Sequence, residues 1–119
     1  MTEPARDARI STLWKPFAAR VIMLLERLKD LGFDPIVFEA KRSEERQKWL
    51  YGIGRTHDLN RKPVTWTMNS RHLVGKGVDI ISKSRLWDHP KFFTALDQEA
   101  RKLGLKTLKV ERCHVEWKG

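Results

Sequence analysis

Two short stretches of the chain, one central and one near its end, combine histidines with carboxylates at spacings that suit metal binding. His72 and Asp79 are seven residues apart, and Gly75 and Gly77 between them let the backbone turn so that both side chains reach one ion. His114 would supply a third ligand. Imidazole nitrogens and carboxylate oxygens suit Zn²⁺, and a catalytic zinc site uses three protein ligands and keeps a fourth position open. The pattern therefore predicts a catalytic metal site.

A further carboxylate, Glu111, precedes His114 by three residues. A bound metal lowers the pKa of water and polarises a carbonyl, and a nearby carboxylate can take the proton from that water and deliver it to a leaving amine. Taken singly, His72 and His114 are better explained as ordinary polar residues, and Asp79 as a cap or an ion-pair partner. Only their combination favours a hydrolytic site.

The elements that position these residues follow from the spacing of apolar side chains. Helical periodicity predicts a helix over about 13–31, which Gly32 would end, and Ser43 would cap a second helix that runs to about residue 51. A third helix would open at His89-Pro90 and end at Gly104. Strands are predicted at 35–40, 64–67 and 77–81, near 108–110 and at 114–117. Because helices and strands do not alternate regularly, we expect an α+β fold: a small antiparallel sheet packed with about three helices.

Composition bounds the architecture and the cellular setting. The 119 residues predict a single domain over 1–119, with residues 1–10 as a flexible or loosely packed N-terminus. A single cysteine, Cys113, excludes an internal disulfide. Since the N-terminus is polar and no apolar run approaches the roughly 20 residues of a membrane span, we expect synthesis in a bacterial cytoplasm without a signal peptide and without membrane insertion. We expect a monomer.

The formal net charge of +9 indicates an anionic partner. Basic residues are scattered along the chain in pairs, such as Lys41-Arg42 and Arg101-Lys102, and no basic block is interleaved with aromatic residues as a single-strand binding surface requires. Nucleic acid is therefore not expected as the primary partner. An anionic bacterial envelope would attract the same charge.

The ordered motifs resemble a known enzyme family over nearly the whole stretch from Phe38 to Trp117. The matching motifs are Ser70-x-His72-x-x-Gly75-x-Gly77-x-Asp79, Glu111-x-x-His114, the run Glu39-Ala40-Lys41-Arg42-Ser43-Glu44-Glu45-Arg46-Gln47, and Gly54-Arg55-Thr56. They are similar to those of zinc D-Ala-D-Ala carboxypeptidases and L-alanyl-D-glutamate endopeptidases, with the bacteriophage endolysin branch most similar. The resemblance implies the hedgehog/DD-peptidase-like fold of these enzymes.

The same resemblance implies roles for particular residues. The ligands of one Zn²⁺ would be His72, Asp79 and His114, and Glu111 would be the catalytic acid and base. Arg42 would contact the carbonyl or carboxylate of the substrate and stabilise the developing oxyanion, which agrees with the bidentate fit of a guanidinium to a carboxylate. Gln47 and Ser70 would support the substrate pocket.

The implied function is cleavage of peptidoglycan stem peptides during host lysis, after a partner has permeabilised the membrane. The same motifs are compatible with a D-Ala-D-Ala carboxypeptidase, and with a non-catalytic zinc-containing domain that binds the cell wall. Glu111 argues against the second alternative, since a purely structural site needs no base. Two positions depart from the pattern: Gly77 replaces the usual alanine, and Glu111 replaces the aspartate common in this branch.

Two neighbours of His114 have less certain roles. Glu116 would share its strand face and act either as a hydrogen-bond partner of that ligand or as a surface charge. Cys113 would point to the opposite face of the strand and serve as a packing residue rather than a ligand.

Overall fold

Three α-helices and a four-stranded antiparallel sheet form the part of the chain that the structure, a computed structural model, describes: residues 2–65, 68 and 70–119. The helices are α1 (Lys15–Asp30), α2 (Glu44–Gly52) and α3 (Pro90–Lys102). The strands are β1 (Pro35–Glu39), β2 (Gly77–Ser82), β3 (Leu105–Thr107) and β4 (His114–Trp117), in the order β1-β2-β4-β3. Short 3₁₀ turns lie at Ile10–Thr12 and Arg71–Val74. This architecture confirms the predicted α+β class.

The core lies between the sheet and the two long helices. In α1 the four buried side chains recur every three or four residues: Phe17, Val21, Leu24 and Leu28. In α3 the buried apolar side chains share one face of the helix: Phe92, Phe93, Leu96 and Ala100. Helix α2 has no such apolar stripe and instead buries Arg46 and Gln47. Its N-terminus is held by Ser43, whose side chain accepts a hydrogen bond from the backbone of Arg46, as its predicted capping role requires.

The register of the sheet aligns two carboxylate residues and one histidine across three strands. Glu39 on β1 is paired with Asp79 on β2, and Asp79 is paired with His114 on β4. Directly paired residues project from the same face of a sheet with their Cβ atoms about 4.5–5.5 Å apart. The topology therefore brings side chains separated by up to 75 residues to one place.

Two strand predictions differ from the structure. The strand expected near 108–110 lies earlier, at Leu105–Thr107, because the left-handed turn at Gly104 (φ 74°) starts it at once and Leu105 is buried opposite Trp117. Val110, by contrast, is 74% exposed. In the segment predicted as a strand at 64–67, Val64 and Thr65 are not in a strand, and the other two residues lie outside the described part of the chain.

The segment before α1 contacts the loops around the sheet. The backbone N–H of Ala40 donates to the carbonyl of Asp7 over 2.6 Å, and that of Trp14 donates to Gly75 over 2.9 Å. Glu3 forms an ion pair with Arg46 at 2.9 Å. Among the described residues, no helix has the length and apolarity that crossing a membrane requires.

Candidate metal centre

Three side-chain atoms on different elements form a nearly equilateral triangle. His72 Nε2 lies 3.2 Å from Asp79 Oδ1 and 3.2 Å from His114 Nδ1, and the third side, between His114 Nδ1 and Asp79 Oδ1, measures 3.3 Å. These three residues are the predicted ligands, and they form the only cluster in the described residues whose donor atoms suit a metal ion.

The triangle has the size that a tetrahedral zinc site requires. Bonds of about 2.0–2.2 Å at tetrahedral angles separate neighbouring ligand atoms by about 3.3–3.6 Å. The observed separations of 3.2–3.3 Å therefore suit three ligands around one ion with little movement. Two imidazoles and one carboxylate are a usual donor set for zinc. The residues present fit this metal.

His72 is held in the orientation that a ligand needs. It lies in the 3₁₀ turn Arg71–Val74, whose N-terminus is capped by Ser70: the serine hydroxyl accepts a hydrogen bond from the His72 backbone N–H over 3.2 Å. The His72 Nδ1–H donates to the carbonyl of Ala40 over 2.7 Å, which leaves the lone pair on Nε2 for a metal. The ring is buried.

His114 has the complementary arrangement. Its Nε2–H donates to Glu116 Oε1 over 2.9 Å, so that Nδ1 carries the free lone pair. Of the two roles left open for Glu116, the structure supports the hydrogen-bond partner of a ligand. Burial lowers the pKa of His114, but the hydrogen bonds to Asp79 and Glu116 outweigh it and raise that pKa to about 9. The surroundings of His114 thus stabilise positive charge, which a divalent cation also supplies.

Asp79 completes the triangle and is ionised. Burial raises its pKa, but the charges and hydrogen bonds of His72 and His114 prevail and hold the pKa of this carboxyl well below its usual range. Its second oxygen, Oδ2, lies 3.4 Å from a guanidinium nitrogen of Arg42. Asp79 therefore links the metal triangle to a second group of charges.

That second group is an arginine cluster, which we define as Glu39, Arg42, Arg46 and Gln47. Glu39 accepts from Arg42 over 2.7 Å with one oxygen and from Arg46 over 2.5 Å with the other. Arg42 also donates to Gln47 over 2.6 Å. All four side chains are buried. Sequence reasoning selected Arg42 and Gln47 but missed Glu39 and Arg46, because charged residues at a strand end and on a short helix are usually solvated.

Residues of both groups line one cleft of about 280 Å³: His72 and Asp79 from the triangle, and Glu39, Arg42 and Arg46 from the arginine cluster. Glu111 lines the same cleft, although it lies outside the strands, and its carbonyl accepts the backbone hydrogen bond of His114 over 2.9 Å. Burial raises the pKa of Glu111, and the charge of His114 opposes this shift only in part. A raised pKa makes a carboxylate a better proton acceptor. The cleft thus combines metal ligands, a guanidinium and a basic carboxylate.

The remaining predicted site residues lie around this cleft. Ser70 and Gln47 act on other residues of the site, Ser70 through the cap of His72 and Gln47 through Arg42, so their contact with a substrate stays a prediction. Cys113 packs against the core but also lines the cleft, contrary to the expectation that it faces away from the ligands. The reason is that β4 begins only at His114, so strand alternation does not extend to Cys113.

Gly77 has a local role beside both histidines. A Cβ atom at this position would lie 3.0 Å from His114 Cε1 and 3.0 Å from the backbone nitrogen of His72. Both distances are shorter than ordinary van der Waals contact. The glycine at this departure from the family pattern therefore lets the two ligands approach β2 closely.

The fold is shared with several solved peptidases. The L-Ala D-Glu endopeptidase ChiX of Serratia marcescens matches 98% of this chain and 89% of its own, at 18% identity and a TM-score of 0.64. The LD-carboxypeptidase LdcB matches 99% of this chain and 65% of its own, at 18% identity and a TM-score of 0.70. A mutant of the D,D-pentapeptidase VanY in complex with Zn(II) matches 90% of this chain and 73% of its own, at 17% identity and a TM-score of 0.70.

Sequence comparison finds no match among protein-family models or curated proteins. The likeness to the three enzymes therefore establishes the fold, which is the DD-peptidase-like one expected from the motifs. The three also differ in the bond named for each, so the fold by itself is compatible with more than one specificity.

Proposed function

We propose that this protein is a zinc-dependent endopeptidase that cleaves the L-alanyl–D-glutamate bond of peptidoglycan stem peptides. The observation that carries the proposal is the triangle of ligand atoms, 3.2–3.3 Å on each side, two of whose residues, His72 and Asp79, line the same cleft as Glu111. No fourth ligand joins the triangle within the part of the chain that the structure describes, and an open fourth position distinguishes catalytic from structural zinc sites. The fold shared with ChiX, LdcB and VanY supports the choice of reaction class, and the proposed bond is the one named for ChiX.

In this proposal His72, Asp79 and His114 hold the metal, which when bound acidifies water and polarises the scissile carbonyl. Glu111 accepts a proton from the attacking water and returns it to the nitrogen of the leaving amine. Its raised pKa and its partial burial favour both transfers. Burial of His72 and His114 keeps both imidazole rings away from bulk water.

Arg42 has two roles in this proposal. Through its contact with Asp79 Oδ2 at 3.4 Å, it holds the ligand carboxylate in place. Its position in the cleft also lets the guanidinium stabilise negative charge that develops on the scissile oxygen, or bind a substrate carboxylate. Glu39 and Gln47 fix the plane of the guanidinium and so determine the direction in which it donates.

The direct test is digestion of purified sacculi by wild-type protein and by Glu111→Gln, with and without a chelator. We expect new amino termini on D-glutamate in the wild-type digest, loss of cleavage with chelator, and a rate about 10²–10⁴-fold lower in the variant. The variant should retain bound zinc. A variant with wild-type activity would show that Glu111 is not the base.

A D-Ala-D-Ala carboxypeptidase is the second candidate, since LdcB and VanY share the fold and are carboxypeptidase or pentapeptidase enzymes. The two activities give different products. Endopeptidase action leaves L-alanine on the glycan and releases the rest of the stem peptide, which begins with D-glutamate, whereas carboxypeptidase action removes only terminal D-alanine. Mass spectrometry of the digest distinguishes them, and release of D-alanine alone would favour the carboxypeptidase.

We further propose that the enzyme is a phage endolysin that reaches the wall from the host cytoplasm after membrane permeabilisation. Its net charge of +9 would hold it on the anionic envelope. Sedimentation with sacculi should therefore weaken when ionic strength rises from about 0.01 to 1 M, because screening shortens from about 30 to 3 Å. Association that does not change with salt would contradict an electrostatic attachment.

A further inference from the structure

The metal cleft continues into a second, more open depression of about 500 Å³. Four residues line both cavities and so form the boundary between them: Val64, Trp87, Glu111 and Cys113. A substrate that reaches the reacting centre beside Glu111 therefore has room to extend past Trp87. We name this second depression the outer groove.

Trp87 is held at the boundary by a rigid loop. Leu86, the preceding residue, has a positive φ of 54°, a backbone conformation that residues with a Cβ atom rarely adopt. Asp34 stabilises the loop by accepting hydrogen bonds from the Ser82 hydroxyl over 2.8 Å and from the Ser84 backbone over 2.9 Å. Strained backbone that is over-determined by its surroundings is common beside functional sites.

The Trp87 ring is available to a ligand although its loop is rigid. It contacts Phe38 edge-on, with 4.7 Å between ring centroids, and remains 50% exposed. A large apolar ring fixed in place and left half-exposed beside a reacting centre offers contact area at little cost in conformational entropy. Its position therefore indicates a substrate contact rather than a core contact.

The charges of the two cavities differ. The metal cleft has two buried guanidinium groups, Arg42 and Arg46, which suit the carboxylates of a stem peptide. The outer groove has Asp88 and Glu111 against Arg112, and its remaining lining is mostly apolar, including Pro63, Pro90 and Phe93. Arg112 in turn donates to Thr94 over 3.3 Å. The groove thus suits a neutral ligand with apolar faces and hydroxyl groups, which is the chemistry of a pyranose ring.

We propose that Trp87 is a specificity-determining residue that packs against a sugar ring of the glycan strand in the outer groove. The inference rests on the proposed endopeptidase function: the alanine on the amino side of the L-alanyl–D-glutamate bond is attached to the glycan, so the sugar lies one residue from the bond that is cut. The enzyme then prefers glycan-linked stem peptides to the same peptides without sugar.

The test compares two soluble substrates, a disaccharide-tetrapeptide and the corresponding free tetrapeptide. We expect kcat/KM at least tenfold higher for the sugar-linked substrate, mainly through KM, since a uniform contact distant from the reacting atoms changes binding more than chemistry. Equal kcat/KM for the two substrates would overturn the inference while leaving the endopeptidase function intact. Failure to cleave either would instead contradict the proposed function.

Variants test whether the Trp87 ring causes the preference for the sugar-linked substrate. Trp87→Ala should lower kcat/KM for the sugar-linked substrate by about tenfold more than kcat/KM for the free peptide and so remove the difference between the two substrates, whereas Trp87→Phe should retain part of the preference. Trp14→Ala is a matched control: Trp14 is 42% exposed and contacts Trp117 rather than the cleft. If Trp87→Ala kept the full sugar preference, or Trp14→Ala lost it, the assignment to Trp87 would be wrong.

A binding measurement excludes an effect of misfolding. The zinc-loaded Glu111→Gln protein, which is expected to bind but not cleave, is titrated calorimetrically with each substrate, alone and combined with Trp87→Ala. The disaccharide should tighten binding about tenfold only when Trp87 is present. If the proteins with and without Trp87 bound the disaccharide-tetrapeptide with equal affinity, the inference would be wrong, provided that their thermal unfolding curves coincide.

Discussion

The two polar sides of the cleft, the metal triangle and the arginine cluster, are built in opposite ways. In the triangle each histidine directs one nitrogen to a protein acceptor, Ala40 or Glu116, and leaves the other nitrogen toward the common centre. In the arginine cluster the terminal nitrogens of Arg42 already donate to Glu39, Gln47 and Asp79. The triangle is therefore prepared for a ligand from outside, whereas the cluster mainly binds itself together. We therefore expect substitutions in the triangle to remove bound zinc, and substitutions in the arginine cluster to lower the stability of the fold.

The largest effect should follow removal of a triangle residue. His72→Ala should lower bound zinc from one ion per chain to nearly none and abolish cleavage, because two ligands hold zinc poorly. Elemental analysis after dialysis measures the change. His89→Ala is the control, since His89 contacts Phe33 and Phe92 instead of the triangle. Full zinc content in His72→Ala would contradict the comparison at once.

Substitutions in the arginine cluster should lower the free energy of unfolding. Glu39→Gln removes the carboxylate that two buried guanidinium groups share. Among the described residues, this leaves Arg42 only the carboxylate of Asp79 and Arg46 only that of Glu3. Breaking a buried pair typically costs about 3–5 kcal/mol. Chemical denaturation should show this loss in the free energy of unfolding, while zinc content under native conditions stays at one ion. Glu26→Gln, an exposed glutamate on α1, should change neither quantity. If Glu39→Gln lost zinc without losing stability, the metal triangle and the arginine cluster would not have separate roles.

Substitution of Glu116, the hydrogen-bond partner of His114, should have an intermediate effect. Removal of a carboxylate that orients a zinc-bound histidine typically weakens metal affinity about 10–100-fold. Glu116→Ala should therefore lose zinc to a competing chelator at lower concentrations than wild type and regain activity when zinc is added. If excess zinc did not restore activity, Glu116 would be acting on something other than metal affinity.

The smallest effect concerns the loop that holds Trp87. Hydrogen bonds from Ser84 and Ser82 hold the pKa of Asp34 below its usual value. A carboxyl whose pKa is lower in the folded state stabilises the fold above its unfolded pKa, near 3.9, and the contribution is lost as pH falls through the lower folded value. Asp34→Asn should therefore be less stable than wild type at pH 7, and the difference should shrink as pH falls below about 3.9. A stability difference independent of pH would contradict this assignment.

The sequence predicted the parts of the site that depend on residue type and local spacing. His72, Asp79, His114 and Glu111 could be selected because their donor atoms suit zinc chemistry, and the glycines between the first two indicated a turn. The helices could be bounded to within two or three residues because glycine, proline or serine marks their ends, and because apolar side chains recur at helical spacing in α1 and α3.

The parts that depend on long-range pairing could not be predicted. Glu39 and Arg46 are buried only because β1 pairs with β2 and α2 packs against that strand end, and an isolated sequence does not show this pairing. The position of β3 was wrong because the backbone turn at Gly104 decides where pairing starts. Cys113 lines the cleft because it precedes β4 rather than belonging to it.

The most direct test of the central claim is X-ray absorption spectroscopy at the zinc edge on the purified protein loaded with one equivalent of zinc. We expect four nitrogen or oxygen neighbours at about 2.0–2.1 Å, with the multiple-scattering signal of two imidazoles. His72→Ala should retain the signal of one imidazole at most. A sulfur neighbour at about 2.3 Å, which would indicate Cys113, or a site without histidine would contradict the assignment of the three ligands.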